Sequence, residues 1–257
     1  MVYTIYQVDA FAHKLFTGNP AAVVPLQQWL DASLMQSIAA ENNLSETAFI
    51  VNEGTQQQWA VRWFTPDYEI DLCGHATLAS AYVIKQFLQT GVSEIHFSTQ
   101  KAGLLKVTVQ DDVLTLDFPS RPPQPCAVPE NLFAALGITS AIEVLKSRDY
   151  FVVLPDEQAV RNIKPDFNLL QTLDAIGVIV TAPGKDYDVV SRCFYPGAGV
   201  PEDPVTGSAH CNVVPYWAQK LGKKKLRCLQ ASPRSGVLDC ELKDDRVLMS
   251  GSCVLYM

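Results

Sequence analysis

The sequence predicts an α+β protein made of two domains with one plan, and three observations carry that prediction. Short runs that alternate apolar and polar residues, as half-buried strands do, recur along the chain. Two longer segments, one in each half, are apolar on nearly every side and read as helices buried all round. Individual residues recur as well. Arg62, Phe64 and Pro66 precede Gly74 in the first half; Arg192, Phe194 and Pro196, at the same mutual spacing, precede Gly207 in the second. The offset is 130 residues at the arginines (192 minus 62) and 133 at the glycines (207 minus 74). That marks a duplicated unit with three extra residues in its second loop.

In chain order, TIYQVDAF alternates as a strand, and GNPAAVVPL is a turn feeding a more apolar strand. DASLMQSIAAENN predicts a short helix with Asp31 as N-cap and Leu34, Ile38 and Ala39 as its apolar face. ETAFIV and QWAVRWF return to strand character. CGHATLASAYVIKQFLQTG is the first buried helix, closed by Thr90 and Gly91, and EIHFSTQ, LLKVTVQ and VLTLDFP are further strands. The proline-rich residues 119–125 read as a linker, which sets domains of 1–118 and 119–257. Beyond it the order recurs: helical PENLFAALG, strand YFVVLP, helical DFNLLQTLD, strands AIGVIVTA and DVVSRCF, then EDPVTGSAHC and the second apolar helix.

Composition narrows the partners. With 257 residues, 48% hydrophobic and 18% charged, the chain can bury proper cores. A formal net charge of -7 repels phosphate backbones and anionic membrane surfaces, so nucleic acid and membrane are not expected partners. The basic run KLGKKKLR at 220–227 reads as a solvated helix end. Seven cysteines without a C-x-x-C pair fit reduced thiols, and the N-terminus lacks a basic leader with an apolar block behind it. A soluble cytoplasmic protein is the expectation.

The twinned helix starts supply the candidate site. If CGHA (73–76) and TGSA (206–209) open two buried helices that face one cleft, their free N–H groups and positive dipole ends form an anion cradle. Gly74 and Gly207 would let a ligand approach the amides, which extend to Ala76 and Ala209. A cradle of this kind stabilises charge developing beside a carbonyl or carboxyl group. Proton transfer at carbon then needs a base. Glu46 leads into the apolar run 48–51, where partial burial would raise its pKa toward working pH, although a solvated glutamate at a strand end has the same sequence. His75 follows Gly74, and a helix N-terminus there favours a neutral imidazole. Ser208 holds the matching place in the second half and can bond a substrate oxygen. Asp203 reads either as a second acid or as the N-cap of the second helix, and Asn19 as a turn cap or a ligand contact.

Neither metal nor nucleotide is expected. Cys73, His75, His210 and Cys211 lie near the helix starts, but adjacent or one-apart donors make a poor zinc signature. GAGVPE at 197–202 begins like a dinucleotide fingerprint but lacks its third glycine and the helix.

Taken together, DAFAHKLFTGNPAAVV, NLSETAFI, RWFTPDYEIDLCGHATLAS and EDPVTGSAHC resemble the PhzF, or phenazine biosynthesis-like, family, whose fold is that of diaminopimelate epimerase. The match spans essentially the whole chain. The resemblance implies two pseudo-symmetric domains, each an antiparallel barrel-like sheet around a central helix, with the active site in the cleft between them. It further implies that Glu46, the glutamate of this motif, is the catalytic acid/base, that the substrate is a small carboxylic acid of a cyclic or anthranilate-like kind, and that the protein is a homodimer.

Three activities are compatible with such a site. The first is an isomerase in which Glu46 takes a proton from one carbon and returns it to another, with His75, Asp203 and Ser208 assisting. The second is a two-thiol epimerase or racemase. Cys73 stands where the diaminopimelate enzymes have their first cysteine, but the matching residue is Thr206, too weak an acid to replace a thiolate; Cys73 then reads as a packed small residue. The third is a non-catalytic small-molecule binder.

Overall fold

A computed structural model describes residues 2–257. The chain divides into two compact units, one running to Phe118 and completed by Leu248–Met257, the other Pro119–Val247. The second unit therefore ends at Val247, not at residue 257, because the last ten residues add a strand to the first.

In the first unit, β1 (Tyr6–Ala10) runs antiparallel to β2 (Asn19–Leu26), and helix α1 (Ala32–Asn42) leads into β3 (Glu46–Asn52), which lies parallel to β2. The strands β4 (Gln58–Phe64) and β5 (Glu69–Ile70) form an antiparallel pair, and helix α2 (Gly74–Val83) follows. After a π turn at Ile84–Leu88 come β6 (Glu94–Ser98), β7 (Leu104–Gln110) and β8 (Val113–Pro119). β6 is parallel to β4 and antiparallel to β7, and β7 is antiparallel to β8.

The second unit holds β9 (Gln124–Pro125), α3 (Leu132–Leu136), β10 (Glu143–Lys146), β11 (Tyr150–Val153), α4 (Glu157–Arg161) and α5 (Phe167–Leu170). β12 (Val178–Pro183), β13 (Val189–Tyr195), β14 (Val200–Asp203), α6 (Gly207–Leu221), β15 (Lys225–Gln230) and β16 (Gly236–Lys243) complete it. β17 (Arg246–Gly251) crosses into the first unit and pairs with β8, and β18 (Cys253–Leu255) pairs with β1. Thr115 and Ser250 share a hydroxyl hydrogen bond at that seam. The sheet of the first unit is thereby a closed ring, which removes exposed edges.

The repeat is visible in the pairings. β4 runs antiparallel to β5 and parallel to β6; β13 runs antiparallel to β14 and parallel to β15. β2 and β3 are parallel, as are β11 and β12. The largely antiparallel sheet expected from the sequence thus carries two parallel pairings in each unit. The repeated arginines have one job: Arg62 grips Glu69 with two bonds of 2.7 Å, and Arg192 grips Glu202 with bonds of 2.7 and 2.8 Å. Each guanidinium also lies over the phenylalanine two residues on, at 5.3 Å from Phe64 and 5.1 Å from Phe194. Phe64 in turn packs beneath α1, while Phe194 sits in a cluster with residues of α3, α4 and α5.

The central helices are enclosed as expected. Nine of the ten α2 residues are buried, and the helix packs on β1, β2, β3 and β18. Alanine and glycine let strands approach closely, and two of its hydroxyls are satisfied locally: Thr77 donates to the Cys73 carbonyl and Ser80 to that of Ala76. In α6, Pro215 has no N–H to give the Cys211 carbonyl, and the Arg121 N–H takes its place at 2.8 Å. Asn212 donates to the Arg121 carbonyl, so the predicted linker is fastened to the helix. One face was misread in α1: Met35 and Ala39 are buried, whereas Leu34 is 41% exposed. No helix among the described residues is long and apolar enough to cross a membrane.

Candidate functional site

Each unit carries one cluster of the predicted residues, at the start of its buried helix. In the first, Asn19 opens β2, Glu46 opens β3 and His75 is the second residue of α2. Parallel pairing sets Glu46 beside Ala21, which brings the two strand starts together. Gly18 makes this entry possible. Its φ is +70°, and a Cβ there would come within 2.2 Å of the Ala10 carbonyl oxygen.

His75 links the cluster. Its Nε2 is 3.0 Å from Glu46 Oε2, and its Nδ1 is 3.1 Å from the Asn19 amide and 3.5 Å from Cys73 Sγ. The approach to Glu46 has the distance of an ion pair without the alignment of a hydrogen bond. Neither Glu46 Oε2 nor His75 Nε2 has a hydrogen-bond partner among the described residues, although both atoms are buried. Buried polar atoms left in this way are costly, and they point toward something that binds between or beside them.

The protonation states follow from the surroundings. Burial, then the negative charge of Glu46, pushes the Cys73 thiol up to about 11. Burial is also the largest influence on His75 and opposes its charge, but Cys73 and Glu46 outweigh it and raise the imidazole well above its ordinary value. The neutral imidazole expected at a helix N-terminus is therefore corrected: the neighbouring Cys73 and Glu46 side chains favour the charged ring more than the half-charge of a helix end disfavours it. The Asn19 side chain suits either state, since its amide N–H donates to a neutral ring and its oxygen, after a flip, accepts from an imidazolium.

Glu46, Cys73 and His75 also bring three donor atoms within 4.8 Å of one another. A cation there would have to displace a thiol proton held to about 11 and the proton that Glu46 draws to His75. His210 and Cys211 are absent from this donor set. His210 is buried, donates from Nδ1 to the Thr206 carbonyl, and has its pKa lowered to about 4 by burial.

The cluster of the second unit surrounds the start of α6. Thr206 is the N-cap residue, with its N–H donating to Gln230 Oε1 at 2.8 Å and its hydroxyl to Asp203 Oδ2 at 2.5 Å. Asp203 closes β14 and is not the helix cap, a correction that follows because Thr206, after a bend at residues 204–205, takes the N-cap position. Gly207, Ser208 and Ala209 form the first turn, and neither α2 nor α6 has a side-chain cap on its amides. Gly74 and Ala76 lie in the first turn of α2. GAGVPE forms a short 3-10 turn, Pro196–Ala198, and then β14.

Sequence reasoning missed Arg148, Asp149, Tyr195 and Gln230. Asp149 is buried and receives Arg148 Nε at 3.1 Å and Nη2 at 2.8 Å; the Tyr195 hydroxyl lies 3.4 Å away. Arg148 Nη2 is also 3.4 Å from Ser208 Oγ. An aspartate placed just before the wholly apolar run YFVV was the available signal, since such a carboxylate must be paired.

The model of the phenazine biosynthesis-like protein family matches residues 8–257. An uncharacterized isomerase of Pseudomonas aeruginosa is 51% identical over 257 residues, covering 100% of this chain and 98% of the relative. The chain belongs to the phenazine biosynthesis-like family. A solved PhzF-family protein from Enterococcus faecalis is 49% identical, with a TM-score of 0.96 over 100% of this chain and 98% of that one. A hydroxyproline epimerase from Agrobacterium vitis, 11% identical with a TM-score of 0.60 over 99% of this chain and 91% of that one, shares the fold alone. This family membership and these near relatives make the chain an isomerase-type enzyme.

Proposed function

We propose that this PhzF-like enzyme moves a proton between two carbons of a small carboxylic acid, with Glu46 as the single acid/base. The observation that carries the reading is the buried pair of Glu46 Oε2 and His75 Nε2, 3.0 Å apart and each without an aligned partner. Glu46 as carboxylate takes a proton from a substrate carbon. The electron pair is delocalised into the carboxyl-bearing π system, and the proton returns to a second carbon with no change in oxidation state. His75 in its charged form stabilises the anion and holds the carboxylate in place. Gly74 and Ala76 in one helix start, Gly207, Ala209 and Ser208 in the other, and Asn19 are proposed to bind the same substrate molecule. The repeat of one sequence motif at both helix starts supports this reading. Asp203 is proposed to orient the second helix start through Thr206. A homodimer is the proposed assembly, and a monomeric mass by light scattering would remove it.

The two-thiol alternative has less support. Thr206 keeps its hydroxyl bonded to Asp203, and Cys73 keeps its proton to about 11.

The test is hydrogen exchange at substrate C–H positions in deuterated water, using a panel of small unsaturated and cyclic carboxylic acids. Glu46→Gln keeps shape and removes the base, so exchange should fall about a hundredfold to ten-thousandfold while the dissociation constant stays within a few-fold. Exchange at the wild-type rate in Glu46→Gln would eliminate the single-carboxylate mechanism.

A further inference from the structure

The proposed reaction leaves Arg148 unused. Arg148 stands just before β11, and its guanidinium is held on two sides. Asp149, 1% exposed, takes the edge formed by Nε and Nη2. The ring of Tyr195 lies 5.9 Å from the guanidinium carbon. Nη1 has no hydrogen bond among the described residues, and the side chain is 37% exposed. Its Nη2 reaches Ser208 Oγ at 3.4 Å, in the uncapped first turn of α6.

A guanidinium has two donor edges, and each suits a planar carboxylate. An arginine that only neutralised Asp149 would need one of them. Here the inner edge is spent on a buried carboxylate, which prevents the side chain from swinging. The outer edge faces Ser208 and solvent with its donors in place before any ligand arrives, so little rotamer entropy is lost when one binds.

We propose that Arg148 is the anchor for the substrate's carboxylate, receiving it on the outer guanidinium edge together with Ser208, with Asp149 and Tyr195 as positioning residues. This rests on the reading that the substrate is a carboxylic acid. It adds that the carboxylate is recognised as a flat, bidentate acceptor at α6, which selects against neutral amides and esters of the same shape. Lysine, a point charge without the fork, cannot reproduce that selection.

The test uses matched probes, benzoate against benzamide and anthranilate against anthranilamide, with dissociation constants from ligand-observed NMR on the full chain. The wild-type protein should prefer each acid to its amide by at least about tenfold. Arg148→Met should erase the preference by weakening the acid and leaving the amide unchanged, and Arg148→Lys, which keeps the charge facing Asp149, should retain only part of it. Glu46→Gln should keep the full preference, so a failure of the acid/base reading shows in exchange and a failure of this one in binding. An unchanged acid-to-amide ratio in Arg148→Lys and Arg148→Met would overturn the proposal. So would equal binding of both probes, or of neither at 10-millimolar concentration scale (~10 mM, the weak end of specific small-ligand affinity), by the wild type. If Arg148 served only to hold Asp149, both variants would lower the melting temperature and leave the ratio intact.

Discussion

His75 Nε2 lies 3.0 Å from Glu46 Oε2, and the two atoms share burial without sharing an aligned hydrogen bond. β3 delivers the carboxylate and α2 the imidazole, so the pair exists only when strand and helix are both in place. The arrangement sets an imidazole with a raised pKa beside a carboxyl group. It is also a source of pH dependence in stability.

The His75 pKa is raised above its unfolded value of about 6.5, with burial opposing the charge and Cys73 and Glu46 favouring it more strongly. The folded chain therefore holds a proton that the unfolded chain gives up. The stabilisation is complete below about pH 6.5 and is lost as pH rises through the folded value. Thermal melts of wild type and His75→Gln should differ most at about pH 6 and converge toward alkaline pH. A gap that widens with rising pH would show the charged ring to be unfavourable.

Cys73 touches His75 but, with its thiol pushed up to about 11, stays protonated at neutral pH. Cys73→Ala should keep substrate exchange within about tenfold of wild type and lose roughly 1 kcal/mol of stability from the vacated volume. A loss of a hundredfold or more in exchange, with binding intact, would restore the thiol as an acid/base group.

The repeated arginines should not be equal in stability. Arg192 holds Glu202 and also donates to the Ile163 carbonyl at 2.8 Å, whereas Arg62 has Glu69, itself the more exposed glutamate. Removing one partner of a nearly buried pair leaves the other charge uncompensated, at a cost of about 3 to 5 kcal/mol when burial is complete. Arg192→Met should approach that figure in urea unfolding, and Arg62→Met should fall clearly below it. Equal losses would mean that the carbonyl contact contributes nothing.

The duplication was legible because Arg62 and Arg192 are tied to local partners, and apolar periodicity marked the strands and both buried helices. Glu46 and His75 were legible through their motifs. The upward shift of the His75 pKa was not, since it depends in part on Glu46, brought in from another element. Arg148 and Asp149 sit at a strand entrance outside the repeated motif, and only the fold sets them beside Ser208. The return of β17 and β18 to the first unit is a nonlocal pairing, which alternation along one segment does not specify. Leu34 and Met35 are consecutive in α1 and point to different faces, so a shift of one residue in the helix phase exchanged them.

Gly18 governs the position of Asn19, and through it one hydrogen-bond partner of His75. Its φ of +70° is strained for any residue with a side chain, and a Cβ would meet the Ala10 oxygen at 2.2 Å and Ala12 Cβ at 2.8 Å. The first obstacle is backbone of the paired strand and cannot rotate aside. Gly18→Ala should therefore cost about 2 to 4 kcal/mol, combining left-handed strain with a forced shift of the β1–β2 turn. Asn19→Ala removes the amide and leaves the turn in place. If Asn19 acts by orienting the imidazole, both variants should slow substrate exchange to a similar extent, while only Gly18→Ala should lower the denaturation midpoint strongly. Unchanged exchange in Asn19→Ala, with Gly18→Ala impaired, would assign the turn to folding alone and remove Asn19 from the site.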